Sequence, residues 1–195
     1  MSAASPDSGR SPASQEVALT DSAARALVFQ DYAPGQQIEG VWRRPLRKHR
    51  AENGWFLELA RIEQGELEQI PGETPFTLRQ VSASWAEPNR MNAFHIHPRV
   101  PQNEIWCVLE GQLVIWLVDC RRDSGSSGVR QRVVLSGEEP AQLYIPAGVA
   151  HGYRAGPRGA LLVYSMDQQF DVSNPNEGRL PWDHFGAELW EEDRG

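Results

Sequence analysis

Cysteine is almost missing from this chain. Cys107 and Cys120 are the only two, both in apolar, strand-like stretches, which argues for reduced thiols in a cytoplasmic protein and against a disulfide framework. No apolar run approaches the ~20 residues that a membrane helix requires, and the N-terminus has neither the basic start nor the apolar core of a signal peptide. Positive charge is in deficit, with a formal net charge of -7, so neither nucleic acid nor an anionic membrane surface is expected as a partner. An anionic small ligand in a locally basic pocket stays compatible with that balance. There is no Gly-rich phosphate loop, no Ser-His-Asp arrangement, no repeat of fixed period and no helix-period stretch across the middle.

What is present suffices for one domain. The chain has 195 residues, 40% hydrophobic and 23% charged, the balance of a soluble globular protein with a full core. Residues 1–25 are rich in Ser, Ala, Pro and Gly and are expected to form a disordered tail. Residues 26–195 are expected to form a single domain. Short apolar stretches follow one another in it: Ile38–Trp42, Trp55–Leu59, Phe76–Trp85, Met91–His97, Arg132–Leu135, Gln142–Ile145, His151–Arg154 and Ala160–Met166. Glu104–Leu109 and Gln112–Asp119 flank Glu110-Gly111 and read as a hairpin. The basic run Arg43–Asn53 reads as a solvated loop, and Asp123–Gly128 as an exposed, flexible one. The series predicts an all-β sandwich or barrel, with a short helix near Ala187–Glu192. Leu113–Val118 is apolar on both faces and needs a second covering surface. In a mostly β protein a second subunit supplies such a cover, so a homodimer is expected.

Two of the five histidines and a carboxylate fall within the stretch Phe94–Glu104. On a strand, the period of two sends His95 and His97 to the same face. Glu104 opens the next strand, and His151 closes the stretch that starts at Pro146. Three imidazoles and a carboxylate suit a divalent metal (Zn, Mn, Fe, Ni or Co) with one or two positions left for substrate. The plainer alternative is a hydrogen-bonded His97–Glu104 pair with no ion.

His95-x-His97, Glu104, Gly111 and then Pro146-x-Gly148-x-x-His151 resemble the two motifs of the cupin superfamily. The resemblance implies a double-stranded β-helix, a jelly-roll barrel, although residues 98–103 make a longer insert than is usual there. From about Val41 to Trp190 the chain is similar to the dTDP-4-dehydrorhamnose 3,5-epimerase family, itself cupin-like. The similarity runs through Gly54-Trp55-Phe56-x-Glu58, Arg79-Gln80-Val81-Ser82-x-Ser84, Val118-Asp119-x-Arg121-x-x-Ser124, Leu162-Val163-Tyr164 and, most specifically, Leu143-Tyr144-Ile145-Pro146-x-Gly148-x-Ala150-His151-Gly152-Tyr153. It implies a sugar or sugar-nucleotide substrate, a base at His95 that removes the proton beside a 4-keto group, and an acid at Tyr164 that returns one. Gln80 and Asn92 fall at substrate-contacting positions.

The departures bear on chemistry. Asn92 stands where the family has an arginine, Ala51-Glu52-Asn53-Gly54 lacks another cation, Glu104 replaces a lysine, and Ile115 replaces a supporting aspartate. No late aspartate is evident to pair with the catalytic histidine. Lost cations weaken diphosphate and enolate stabilisation, whereas His97 and Glu104 beside His95 and His151 install a metal pattern that would polarise a carbonyl. A metal-bound His95 cannot also be the base, so the two roles compete for one residue. Tyr164 reads equally as an acid or as a buried, hydrogen-bonded tyrosine. The leading expectation is a sugar epimerase or isomerase with a metal in the barrel. The alternatives are a metal-dependent cupin oxygenase or lyase on a small organic acid, and a non-catalytic sugar-binding cupin.

Overall fold

The structure, a computed structural model, describes residues 17–30, 32–68, 70–71 and 75–192. Contacts divide the chain after Pro34, and the main unit described below begins at Gly35. Most of the expected tail, residues 1–16, lies outside the described residues. Its end is ordered: Asp21–Ala26 forms a helix, α1, in which Thr20 caps the Ala23 amide through Oγ1 at 3.4 Å. Asp21 in the first turn and Arg25 in the last complement the helix dipole. None of its side chains is buried, so local signals alone account for it.

The main unit is a succession of antiparallel strands: β1 Trp42–Pro45, β2 Lys48–Ala51, β3 Gly54–Leu57, β4 Ile62–Glu63, β5 Glu66–Leu67, β6 Gln80–Ala86, β7 Met91–Ile96, β8 Glu104–Asp119, β9 Arg130–Ser136, β10 Ala141–Ile145, β11 Val149–Met166 and β12 Gly178–Arg179, followed by a 3-10 turn at Ala187–Trp190. Eight of them form one sheet in the order β1-β10-β8-β11-β7-β12, with β6 also on β11 and β9 also on β8; β2–β3 and β4–β5 are separate hairpins. The basic run expected as a loop is thus largely strand, in β1 and the β2–β3 hairpin.

The expected hairpin at Glu110-Gly111 is instead one strand of 16 residues, β8, and its partner β11 has 18. Both pass through a bend without ending. Gly111 takes φ +70°, and a Cβ there would meet the Gly159 carbonyl oxygen at 1.9 Å. Only glycine lets the two bent strands touch at that point, and the pairing resumes beyond it with a register shift between Ala155 and Ala160. Inward residues of both halves build the core: Val108, Leu113, Ile115, Leu117, Leu135, Leu143 and Ile145 are all 1% exposed or less. Truncating one such side chain to alanine costs about 2–5 kcal/mol.

The second apolar face of β8 is covered from within the chain. Trp116 and Val118 pack with Phe94 and Ala150 against Leu180, Phe185, Leu189 and Trp190 of the C-terminal segment. Trp116 Nε1 donates to the Leu189 carbonyl at 2.6 Å. The physical reason for expecting a second subunit at that face is therefore met by residues 180–190. The Asp123–Gly128 loop is pinned too. Asp119 accepts from Ser124 Oγ and Ser126 Oγ at 2.6 Å each, and from the Arg121 side chain at 2.8 Å. Cys107 and Cys120 are both free; Cys107 is buried, while Cys120 is exposed and not a core residue.

Candidate active site

Pairing brings distant residues to one face. His95 on β7 lies opposite His151 on β11, and on its other side opposite Arg179 on β12. Tyr164, further along β11, lies between Trp106 on β8 and Ser82 on β6. A cavity of about 240 Å³ opens over these strands, and Asn92, His95, Glu104, Trp106, His151, Tyr153 and Tyr164 line it together with Trp85, Arg90, Glu177 and Arg179. A larger groove of about 770 Å³ beside Trp42 and Tyr144 gathers no histidine.

His95, Glu104 and His151 form the floor of the cavity, and His97, which does not line it, joins the cluster through Glu104. The His95, His97 and His151 rings lie 4.6 to 5.7 Å apart, centre to centre. His97, just past the end of β7, donates from Nδ1 to the Asn176 carbonyl at 2.6 Å and turns Nε2 to Glu104 Oε1 at 2.8 Å. Glu104 is 4% exposed and also accepts from Trp106 Nε1 at 2.6 Å and Gln102 Nε2 at 2.9 Å. Burial would raise its pKa, but the His97 hydrogen bond and the nearby imidazoles hold it down at about 2. Burial would likewise lower that of His97, and the Glu104 contact outweighs it and raises it. The long 98–103 insert reaches Glu104 because Asn176 and Asn174 hold Arg99 and Val100, and Asp167 holds Asn103.

His95 and His151 are neutral bases. Burial lowers the His151 pKa, and burial, followed by the repulsion two protonated rings would feel, pushes His95 down to about 4 against the pull of Glu177. His151 Nδ1 faces the Val149 carbonyl at 3.1 Å. Glu177 Oε2 stands 2.5 Å from His95 Nε2 but off the line that a hydrogen bond requires, so that nitrogen has no hydrogen-bond partner. Burial raises the Tyr164 pKa, with a Ser82 hydrogen bond acting the other way, so the phenol keeps its proton. Gln80 stands behind Ser82, donating to its Oγ at 3.0 Å and accepting from the Phe170 amide at 2.8 Å. It does not line the cavity, whereas Asn92 does, accepting from Arg179 Nη1 at 3.0 Å.

Three charged lining residues escape sequence reasoning: Arg90, Glu177 and Arg179. Arg90 precedes β7 in a turn, and the other two lie in an irregular segment beyond the recognisable motifs, where periodicity carries no signal. They change the electrostatic picture drawn from the sequence. The two guanidiniums face the cavity without a carboxylate partner among the described residues, so positive charge absent from position 92 and position 104 enters from the turn before β7 and from β12.

The donor types suit a divalent ion, but one ligand atom from each of His95, His97 and His151 lies within 4.8 Å of the others, wider than the spread of about 3.3–4.2 Å of ligands set ~2.1 Å from an ion, so the rings would have to draw inward to hold one. Glu104 is the adjacent fourth donor. An ion held there would supply Lewis acidity toward a carbonyl oxygen.

Comparison with known proteins agrees with the fold. The sequence model of dTDP-4-dehydrorhamnose 3,5-epimerase matches residues 35–189. The chain is 33% identical over 149 residues, 75% of its length and 91% of the relative's, to the spore coat polysaccharide biosynthesis protein SpsL of Bacillus subtilis. A dTDP sugar isomerase from Desulfovibrio desulfuricans superimposes with a TM-score of 0.64 at 25% identity, covering 80% of this chain and 91% of that one. The Legionella pneumophila dTDP-6-deoxy-D-glucose-3,5-epimerase RmlC, solved with dTDP-4-keto-L-rhamnose, does so with a TM-score of 0.67 at 24% identity, covering 77% and 78%. The expected double-stranded β-helix is the fold these neighbours share. With a match over most of its length, a conforming barrel and the His95–Tyr164 cavity inside it, this chain belongs to the dTDP-4-dehydrorhamnose 3,5-epimerase family.

Proposed function

We propose that the chain epimerises a nucleotide-linked 4-keto sugar by proton transfer, with His95 as base and Tyr164 as acid. The observation that carries this reading is the pairing in one cavity of a neutral imidazole and a protonated phenol, both on rigid strands. The neutral His95 ring takes the proton from the carbon beside the keto group, and its positive charge develops against the Glu177 carboxylate. The electron pair left on carbon delocalises to the keto oxygen as an enolate, and Tyr164 delivers a proton to the same carbon. Arg90 and Arg179 offer charge-assisted hydrogen bonds to a diphosphate. A cavity of about 240 Å³ accommodates the sugar and leaves the nucleotide toward the rim.

Incubation with dTDP-4-keto-6-deoxyglucose in deuterated water tests the reading. Deuterium enters beside the keto group with the unaltered chain and not with His95→Ala; a folded chain that incorporates none at high enzyme concentration refutes it. We also propose a homodimer formed through β6. Its outer edge pairs with no strand among the described residues, and Val81 and Trp85 are 56% and 43% exposed there. Light scattering gives twice the chain mass in that case, and Trp85→Glu returns it to the monomer.

A further inference from the structure

We propose that Glu104 and His151 make the cavity selective for an amino sugar: the 4-keto sugar it takes carries an amino group, at C2 or C3, that donates to both side chains at once. This selectivity rests on the nucleotide-sugar reading and specifies the sugar. Both residues line the cavity, and both are almost wholly buried, His151 at 2% exposure and Glu104 at 4%. His151 directs Nδ1 at the Val149 carbonyl at 3.1 Å. The ring hydrogen belongs there, so Nε2 carries the lone pair, and no group among the described residues donates to it. Glu104 Oε1 is filled by His97 Nε2 at 2.8 Å and Gln102 Nε2 at 2.9 Å, whereas Oε2 accepts from Trp106 Nε1 at 2.6 Å. A carboxylate oxygen has two lone pairs, so one place on Oε2 stays open. That oxygen and the His151 Nε2 are 3.8 Å apart.

Two buried acceptors on one cavity wall require a ligand that donates, since each would otherwise stay desolvated and unpaired. Their spacing decides which donor. At 3.8 Å, both atoms come within ordinary hydrogen-bond reach, about 2.8–3.0 Å, of one nitrogen placed between them. An amino group, charged or neutral, has at least two N–H bonds and pairs both. A hydroxyl has one hydrogen and leaves one acceptor unpaired, and a keto or ether oxygen has none and is repelled by both. The His95 and His151 rings lie 5.4 Å apart, centre to centre, so the amino carbon sits near the carbon that His95 deprotonates. In a 4-keto-6-deoxyhexose linked through C1, the ring carbons with free hydroxyls are C2 and C3, and the amino group replaces one of these.

The test measures binding to the full-length protein by isothermal titration calorimetry, with three stable 4-hydroxy sugars: dTDP-6-deoxyglucose and its 2-amino and 3-amino analogues. One amino analogue binds more tightly than the hydroxyl sugar by about tenfold or more, because the hydroxyl leaves a site acceptor unpaired. His151→Phe, which keeps a ring and removes the lone pair, and Glu104→Gln each cut that ratio to about threefold or less; either variant suffices where the other fails to fold. Equal affinity for all three sugars overturns the selectivity, as does a preference that survives in every variant that thermal melting shows to be folded. If none of the three binds at millimolar concentration, the nucleotide-sugar reading and the selectivity fall together. If the amino preference holds and no 4-keto sugar, amino or hydroxyl, takes up deuterium, the epimerase reading falls and the selectivity stands.

Discussion

Replacing Glu177 by glutamine keeps the shape of the cavity wall and removes one charge. Its effect follows from where charge develops. As His95 takes a proton, an imidazolium forms beside a carboxylate whose oxygen is 2.5 Å from the ring nitrogen. Two unit charges about 4 Å apart between centres interact by about 4 kcal/mol at an effective dielectric of ~20, and by about half that at ~40. The Glu177 side chain is 38% exposed, so the screened end of that range applies, about 2–3 kcal/mol. This charge interaction is made in the transition state and not with neutral His95, so it converts to a loss of about 30- to 160-fold in kcat with little change in KM. A second signature separates this role from a structural one. The Glu177 carboxylate raises the His95 pKa, which burial and His151 hold at about 4. In Glu177→Gln the acid limb of the kcat/KM profile therefore moves to lower pH even as the rate falls. Steady-state kinetics on a 4-keto sugar nucleotide from about pH 2.5 to 8 reads both. A loss under threefold, a change confined to KM, or an acid limb that moves upward refutes the assignment.

Tyr164→Phe removes the returning acid and leaves the base: net inversion falls by about 10²–10⁴-fold, while solvent deuterium still enters the recovered substrate. Loss of both in a folded variant would show that Tyr164 shapes the cavity and does not deliver the proton. Arg90→Gln and Arg179→Gln each raise KM about tenfold with kcat retained, and the difference shrinks as salt screens the diphosphate; equal KM values at 20 and 500 mM salt would exclude that contact. Asp119→Asn destabilises the fold by about 2–4 kcal/mol by leaving Arg121 beside a neutral, poorer acceptor. Burial raises the Asp119 pKa, but the Arg121 and serine hydrogen bonds carry it far below the usual range. Its stabilisation is therefore fully present above the carboxylate's unfolded pKa and is lost as pH falls toward the folded value. Urea denaturation at several pH values shows a large gap between the two chains at pH 7 that narrows below about pH 4.

How far the sequence could be read follows from what each feature depends on. His95, His97 and the turn-to-strand run ending at His151 were legible because period-two alternation and Pro-x-Gly punctuation are local properties. The all-β class was legible for the same reason. The continuity of β8 through Gly111 was not, since a glycine after a glutamate signals a hairpin turn equally well, and the difference lies in Gly159, 48 positions on. The inner cover over Trp116 was equally hidden. Two-faced apolarity in Leu113–Val118 says that a cover exists, not that residues 180–190 supply it. Glu177 and Arg179 reach the cavity only through a two-residue pairing with β7, which no local pattern announces.

That short pairing has a mechanical corollary. β12 is two residues long, too few for its own ladder to fix Glu177 and Arg179 against thermal motion. Its anchorage lies nearby and on the other side of the sheet, where Phe185 and Trp190 close on Phe94 at 4.8 and 5.2 Å between rings. Phe94 and His95 are consecutive on β7, one facing each way. The sheet thus works as a thin partition with a hinge pin driven through it: the aromatic grip on the dry side sets the gap between acid and imidazole on the wet side. A cavity cut at Phe94, remote from any bound sugar, would be felt first as slack between Glu177 and His95.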